Sequence, residues 1–166
     1  MDSRHLTVVI IILIAGSGLT LFVLASNPGS VSGVKVGDVA MDISLKNIDG
    51  TEFRLSTSKG KIVILDFMTT TCPYCVDEFK VLKQLDSDNR VQVISINLDI
   101  TSDQDLKDFT LSNNIDWFIG TSLKAGSDYK ITSVPTIIVV DKGGFIRYRS
   151  SFTTLDQFNQ IINQTS

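Results

Sequence analysis

One short stretch constrains both the fold and the chemistry of this chain. Residues 61–68 read KIVILDFM, an almost continuous apolar run that is typical of a strand buried on both faces. The box Cys72-Pro73-Tyr74-Cys75 follows it. Pro73 suits the first turn of a helix, where a backbone N–H has no partner in any case. The apolar residues that come next recur at helical spacing: Val76, Phe79, Val81, Leu82 and Leu85.

The two thiols are therefore predicted to lie at a strand-to-helix junction, beside the positive end of a helix dipole. This position favours the thiolate of Cys72, the sulfur closest to the unpaired N–H groups of the first turn. A stabilised thiolate is also a better leaving group, which makes a disulfide easier to reduce. Cys75 lies one helical turn further along, where it can attack a mixed disulfide formed at Cys72. The box thus predicts a redox-active pair.

Two other roles for the pair remain open on the sequence. A structural bridge across so short a loop contributes little chain-entropy stabilisation. A zinc site usually needs four ligands, whereas the chain has two cysteines and one histidine, His5, in its apolar N-terminal region. Redox exchange fits the residues better than either, and we expect no metal and no cofactor other than the Cys72–Cys75 disulfide.

Further stretches make the chain resemble the thioredoxin superfamily, and within it the membrane-tethered TlpA/ResA-like branch. Asp66 stands six residues before Cys72 at the end of the buried strand, as in thioredoxins. Residues 129–136, YKITSVPT, resemble the segment that carries the family's cis-proline. Residues 36–61 are similar to the lead-in of the extracytoplasmic branch. The resemblance covers roughly residues 34–164.

The resemblance implies a thioredoxin-like α/β fold, with a mixed central sheet flanked by helices and an N-terminal β-hairpin extension. The patterns of the chain agree with it. Alternation over 42–46, an Asp49-Gly50 turn and residues 52–55 predict the hairpin. The other predicted elements are a strand at 91–98, a helix from Thr101 or Ser102 to about Asn113, an extended segment at 116–119, a helix at 123–129, strands at 136–140 and 145–150, and a last helix capped by Thr154.

The N-terminal region differs in character from the rest. Residues 6–25 carry no charge and, as a helix, are long enough to cross a ~30 Å hydrocarbon core. Arg4 precedes them, which favours a cytoplasmic N-terminus and an extracytoplasmic domain. A cleaved signal peptide is the alternative, since residues 23–25, VLA, fit a small-residue cleavage rule. We expect a single-pass membrane protein with a cytoplasmic N-terminus at 1–5, a transmembrane signal anchor at 6–25, a flexible linker at 26–33 and a thioredoxin-like domain at 34–166.

The resemblance also implies roles outside the cysteine box. In thioredoxins the residue matching Asp66 is a buried acid that relays a proton to or from the second thiol, here Cys75, and burial raises the pKa of such an acid. An acid turned to solvent at the strand end is the alternative. The residue matching Pro135 is a cis-proline that faces the thiols and leaves the backbone of Val134 free to pair with an extended substrate chain. Two more residues are expected to contact that substrate, Pro73 and Tyr74.

Other residues are harder to assign. Glu78, three residues after Cys75, matches a glutamate common in TlpA/ResA-like proteins, and it either influences proton transfer or is a solvated surface charge. Many TlpA/ResA-like proteins lack an acid matching Asp66. Thr71 stands where the family usually has an aromatic residue before the first cysteine, so the resemblance predicts a different partner surface here. Trp117, the sole tryptophan, is expected in the core.

The predicted function is thiol–disulfide exchange with extracytoplasmic proteins, regenerated by a separate donor or acceptor protein. The resemblance implies a reductant, cytochrome c maturation being the commonest task of the branch, and a disulfide-forming oxidase is the alternative. A net charge of −3 argues against nucleic-acid binding. A copper-handling or redox-inactive protein is a remoter alternative, because copper-handling relatives need a wider cysteine spacing and a downstream histidine. A peroxiredoxin shares Thr69 but has a proline where this chain has Leu65.

Overall fold

The structure is a computed structural model that describes residues 9–11, 22–24 and 32–165. The chain divides into two compact units, Met1–Val31 and Ser32–Ser166. The predicted thioredoxin-like domain corresponds to the second of them.

In the first unit, β1 (Val9–Ile11) pairs antiparallel with β2 (Phe22–Leu24). These six residues fall within the predicted anchor at 6–25 and are extended instead of helical, as β-branched and aromatic residues favour. The rest of 6–25, and residues 1–5 and 26–31, lie outside the described residues. Among the residues that are described, no helix is long and apolar enough to cross a membrane.

The second unit begins two residues earlier than the sequence predicts. β3 (Ser32–Gly33), assigned above to the linker, pairs in parallel with β4 (Val39–Ala40). The turn between them places Gly37 at a φ of 96°, and the carboxylate of Asp38 accepts the N–H of Lys35 at 3.0 Å. This turn brings the two segments side by side and removes Ser32–Gly33 from the linker.

The remaining elements follow the predicted order. They are β5 (Ser44–Lys46), β6 (Glu52–Arg54), a 3₁₀ turn (Leu55–Thr57), β7 (Ile62–Met68), α1 (Pro73–Asp86), β8 (Val91–Asn97), α2 (Asp103–Ser112), β9 (Phe118–Thr121), α3 (Leu123–Asp128), β10 (Thr136–Val140), β11 (Ile146–Ser150) and α4 (Leu155–Thr165). β9 lies two residues beyond its predicted position at 116–119, because pairing with β8 starts only at Phe118, opposite Ile94.

The helix starts agree with the capping residues read from the sequence. The Ser102 hydroxyl accepts the N–H of Asp105 at the start of α2. At α4, the Thr154 N–H donates to the Gln157 side chain at 2.9 Å and the Gln157 N–H donates back to the Thr154 hydroxyl at 3.4 Å. Such reciprocal bonds satisfy N–H groups that a helix start leaves without partners.

The central sheet has five strands in the order β11-β10-β7-β8-β9. β7, β8 and β9 run parallel, whereas β10 is antiparallel to both of its neighbours. β7 therefore lies in the middle of the sheet, and all seven of its residues are buried. The sheet is mixed, as predicted, and the cysteine box follows the carboxyl end of its central strand.

Two apolar clusters cover the two faces of this sheet. Alternate β7 residues, Ile64 and Met68 among them, pack with the buried face of α1 and with Phe158 of α4. The residues between them, Leu65 and Phe67, pack on the other face with α3 and the hairpin. Because side chains alternate along a strand, Asp66 points to the face covered by α1.

The predicted N-terminal hairpin is formed by β5 and β6, which pair antiparallel. Asn47 bridges to Gly120 of β9, so that the hairpin joins the edge of the main sheet. A Cβ at Gly120 would lie 2.7 Å from the carbonyl oxygen of Lys46. Glycine is thus required where the two backbones approach.

Candidate active site

Cys72 and Cys75 form a disulfide at the start of α1, with a Cα–Cα distance of 5.3 Å. Cys72 is the residue before the helix, and its sulfur accepts the N–H of Cys75 at 3.2 Å. Pro73 occupies the first turn, as predicted. Cys72 is 9% exposed and Cys75 is completely buried. Of the two residues, only Cys72 retains any exposed surface, and the N–H that its sulfur accepts is placed to stabilise a thiolate once the disulfide opens.

Asp66 lies on the central strand, on the face of the sheet that α1 covers, and is fully buried. Its Oδ2 accepts a hydrogen bond from Ser95 Oγ at 2.8 Å, while its Oδ1 has no hydrogen-bond partner among the described residues. Loss of solvation raises the pKa of Asp66 to about 7, against a smaller lowering by the Ser95 hydrogen bond. The solvent-exposed alternative for Asp66 is excluded, and the carboxyl group can change protonation near neutral pH.

Glu78 is a second buried acid on α1, so the solvated-surface alternative was wrong. Both of its oxygens accept the N–H of Thr153, at 3.2 and 3.0 Å. Burial raises the pKa of Glu78 to about 7, the Thr153 N–H opposes this rise, and the charge of Asp66 adds to it. The site therefore holds two acids that influence each other.

Pro135 lies at the same end of the sheet as the cysteines. The Val134–Pro135 peptide bond is cis, the conformation that the resemblance implies. Thr136 pairs with Phe67, so Pro135 comes opposite the carboxyl end of β7. Val134 is half-buried and packs against the cluster that contains both cysteines. Val134 and Pro135 therefore lie at the end of the sheet from which the cysteine box follows.

A polar network holds the turn that leads into Cys72. The N–H and hydroxyl of Thr70 both donate to Asp99 Oδ2, at 2.7 and 2.8 Å. Asn97 is buried, accepts the N–H of Asp99 at 3.1 Å and donates to the Thr121 hydroxyl at 3.2 Å. The loop after β8 is thereby fixed against the turn before Cys72.

The sequence reasoning missed Ser95, Asn97 and Asp99, and it assigned Trp117 to the core alone. Trp117 is buried as expected, but its indole N–H also donates to Ser95 Oγ at 2.9 Å. The sequence does point to Ser95, because a hydroxyl inside an apolar strand is as unusual as the carboxylate of Asp66 inside its own strand. Among the described residues, no group of three or more histidine, cysteine, aspartate or glutamate side chains is placed to hold a metal ion.

These features define a class of protein: a thioredoxin-like fold with a Cys-X-X-Cys disulfide at the first helix of its βαβ unit and a cis-proline at the same end of the sheet. The sequence profile of the AhpC/TSA family matches residues 36–149. The chain belongs to this family.

Individual relatives agree with this assignment. The chain is 27% identical to the thioredoxin-like protein YneN of Bacillus subtilis over 145 residues, which cover 84% of each chain. It is 26% identical to the thiol-disulfide oxidoreductase ResA of Geobacillus thermodenitrificans over 147 residues, which cover 85% of this chain and 82% of ResA. Its fold is similar to that of the thioredoxin domain of a thiol-disulfide oxidoreductase from Bacteroides vulgatus, with a TM-score of 0.70, 22% identity, and coverage of 81% of this chain and 100% of that domain.

Proposed function

We propose that this protein is a thiol–disulfide oxidoreductase in which Cys72 and Cys75 cycle between dithiol and disulfide. The observation that carries the proposal is the unequal access to the two bonded sulfurs, since Cys72 reaches the surface and Cys75 does not. An outer sulfur that meets the substrate and an inner sulfur that resolves the intermediate are what such exchange requires. The relatives named thiol-disulfide oxidoreductases support the same activity.

The exchange proceeds in two displacements. The Cys72 thiolate attacks a substrate disulfide, forming a mixed disulfide and releasing one substrate sulfur as a thiolate. The Cys75 thiol then loses its proton to Asp66 and attacks Cys72, forming the Cys72–Cys75 bond and releasing the second substrate sulfur. Two electrons pass from the cysteine pair to the substrate, and a separate dithiol protein returns them. The Val134 backbone and the Pro73-Tyr74 segment bind the substrate chain in extended form.

The favoured direction is reduction of exported proteins, with cytochrome c maturation as one setting, and the chain is anchored by residues 6–25 with its domain outside. The lack of charge in that segment and the resemblance to the membrane-tethered extracytoplasmic branch support this assignment. A measured reduction potential distinguishes the two directions: near about −270 mV the protein is a reductant, and near about −120 mV it is an oxidant of the alternative kind.

Trapping of the intermediate tests the exchange itself. In a Cys75→Ser variant of the full chain, the mixed disulfide at Cys72 cannot be resolved, so substrate proteins should remain covalently attached. Non-reducing gels followed by mass spectrometry would detect these adducts, which dithiothreitol should release. The Cys72→Ser variant is the matched control, because its remaining sulfur is fully buried. Equal trapping by both variants, or none by either, would refute the proposal.

Two exposed apolar side chains, one inside the cysteine box and one on the loop held against the turn before it, are expected to contact protein substrates. Tyr74, inside the cysteine box, is 71% exposed, and Ile100, on the loop fixed by Asp99, is 92% exposed. Replacing either by serine should lower kcat/KM for a protein disulfide about five-fold, or ~1 kcal/mol. The rate with a small disulfide should change less.

A third exposed residue provides the control for this prediction. Leu111 is also well exposed, but it lies in the last turn of α2, roughly two and a half helical turns beyond Ser102. The Leu111→Ser variant should keep the kcat/KM of the wild type. An equal loss in all three variants would show that the loss has no connection with a docking surface.

A further inference from the structure

A chain of two hydrogen bonds runs from Trp117 through Ser95 to Asp66. Trp117 Nε1 donates to Ser95 Oγ at 2.9 Å, and Ser95 Oγ donates to Asp66 Oδ2 at 2.8 Å. All three side chains are buried. An indole N–H can only donate, so the Ser95 oxygen receives that hydrogen and directs its own toward Asp66. The indole thereby sets the direction of the whole chain.

This direction determines which oxygen of Asp66 carries a proton. Oδ2 already accepts the hydrogen of the Ser95 hydroxyl. A proton bound to the same oxygen would repel that hydrogen. Oδ1 is buried and has no hydrogen-bond partner among the described residues. We propose that Ser95 and Trp117 are positioning residues, which orient Asp66 so that Oδ1 is the atom that accepts and releases the proton. The proposal rests on the thiol–disulfide exchange proposed above and specifies its proton acceptor.

Among the described residues, few other groups on this face of the sheet could accept the proton of Cys75. α1 covers this face of the sheet and contributes the titratable groups, Cys75 and Glu78. The partner of Asp66 on β10 is Ile137, and α4 contributes Phe158 to the same cluster. On β8 its register partner is Ser95. The face of the sheet to which Asp66 points therefore carries apolar groups, the two bonded cysteines, Glu78 and, from β11, Tyr148.

The proton transfer accompanies the attack of Cys75 on the mixed disulfide, and every bond and electron pair is accounted for. The Cys75 S–H proton passes to Oδ1, the sulfur forms its bond to Cys72, and the Cys72–substrate S–S bond breaks. The substrate sulfur leaves with the electron pair as a thiolate. The neutral Asp66 then returns its proton when the disulfide is reduced again by the donor dithiol.

Trp117 provides a direct readout, because it is the only tryptophan in the sequence. In the oxidised full chain neither cysteine titrates, so a pH titration of its fluorescence should show ionisation of Asp66 near its pKa of about 7. Asp66→Asn should abolish this transition, and Glu78→Gln should retain it. Ser95→Ala should raise the midpoint by about one pH unit, a tenfold change in the dissociation constant.

The control for packing is Phe79→Leu. The Phe79 ring lies edge-on to Trp117 at 6.0 Å between centroids, and Phe79 makes neither hydrogen bond of the chain. Its replacement should alter the fluorescence intensity while leaving the midpoint in place. A midpoint in Ser95→Ala equal to that of the wild type, or a transition that survives in Asp66→Asn, would overturn the proposal.

A second variant tests the indole. Trp117→Phe keeps an aromatic ring and removes only the N–H that orients the Ser95 hydroxyl. The pH profile of exchange should then shift upward, by less than in Ser95→Ala, and an unshifted profile would contradict the role of Trp117. Because the fluorescence titration uses the disulfide form, it is independent of exchange. If the Ser95→Ala variant shifted the fluorescence midpoint but the wild type showed no exchange activity, the proposed function would be refuted and the positioning of Asp66 by Ser95 would stand.

Discussion

Asp66→Asn is expected to stabilise the folded protein above neutral pH. Burial holds the pKa of Asp66 at about 7, well above its ordinary value of 3.8. A difference of about three pH units corresponds to at most ~4 kcal/mol. The new amide would leave its own buried N–H groups without partners, at a cost of about 1–2 kcal/mol. The net gain in the free energy of unfolding should therefore be on the order of 2 kcal/mol.

The sign of this effect depends on pH. The raised pKa means that the neutral acid is favoured in the folded state, so the contribution of Asp66 to stability is complete below pH 3.8 and is lost as the pH rises through about 7. Urea unfolding of the oxidised full chain at about pH 4 and about pH 8 measures both limits. The variant should gain stability only at the higher pH. A gain of equal size at both would mean that ionisation of Asp66 is not its cause.

The same variant should be a slower enzyme. Removal of a positioned proton acceptor typically costs about 10²-fold or more in rate. In insulin reduction, kcat should fall by about this factor, and the dependence of the rate on pH near neutrality should flatten. Asp77→Asn is a suitable control, because Asp77 lies on the exposed face of α1, where it pairs with Lys80 at 2.8 Å. A wild-type pH profile in Asp66→Asn would remove this residue from the mechanism.

The parts of the structure that sequence reasoning predicted correctly are those with local signals. The apolar run of β7, the proline at the start of α1 and the caps at Ser102 and Thr154 each depend on residues within a few positions of one another. Local patterns of this kind report backbone conformation directly. They also placed Cys72 correctly, because its position follows from the end of one element and the start of the next.

The sequence marks Ser95 as a hydroxyl inside an apolar strand, but it carries no local signal for which polar groups pair within the site. Trp117 and Ser95 are 22 residues apart, and Glu78 and Thr153 are 75 apart. Such contacts depend on strand order and helix packing, which periodicity does not reveal. The short pairing of Ser32–Gly33 was missed for a similar reason, since small polar residues have the composition of a linker until a neighbouring strand pairs with them.

Glu78→Gln is expected to be the second stabilising substitution, again only above neutral pH. The side-chain oxygen of glutamine can still accept the Thr153 N–H that Glu78 now accepts at 3.0 Å, so the change removes the charge and keeps an acceptor. Burial holds the pKa of Glu78 at about 7, compared with an ordinary value of 4.5. The gain at about pH 8 should be about 1–3 kcal/mol, and it should vanish near pH 4.

The double variant is more informative than either single variant. The charge of Asp66 contributes to the raised pKa of Glu78, so removing it lowers that pKa and reduces what Glu78→Gln can add. The combined gain at about pH 8 should therefore fall short of the sum of the single gains by about 1 kcal/mol. Urea unfolding of the four oxidised proteins measures this difference. Strict additivity would show that the two acids titrate independently, whereas a shortfall restricted to high pH would show that they share one electrostatic site next to Cys75.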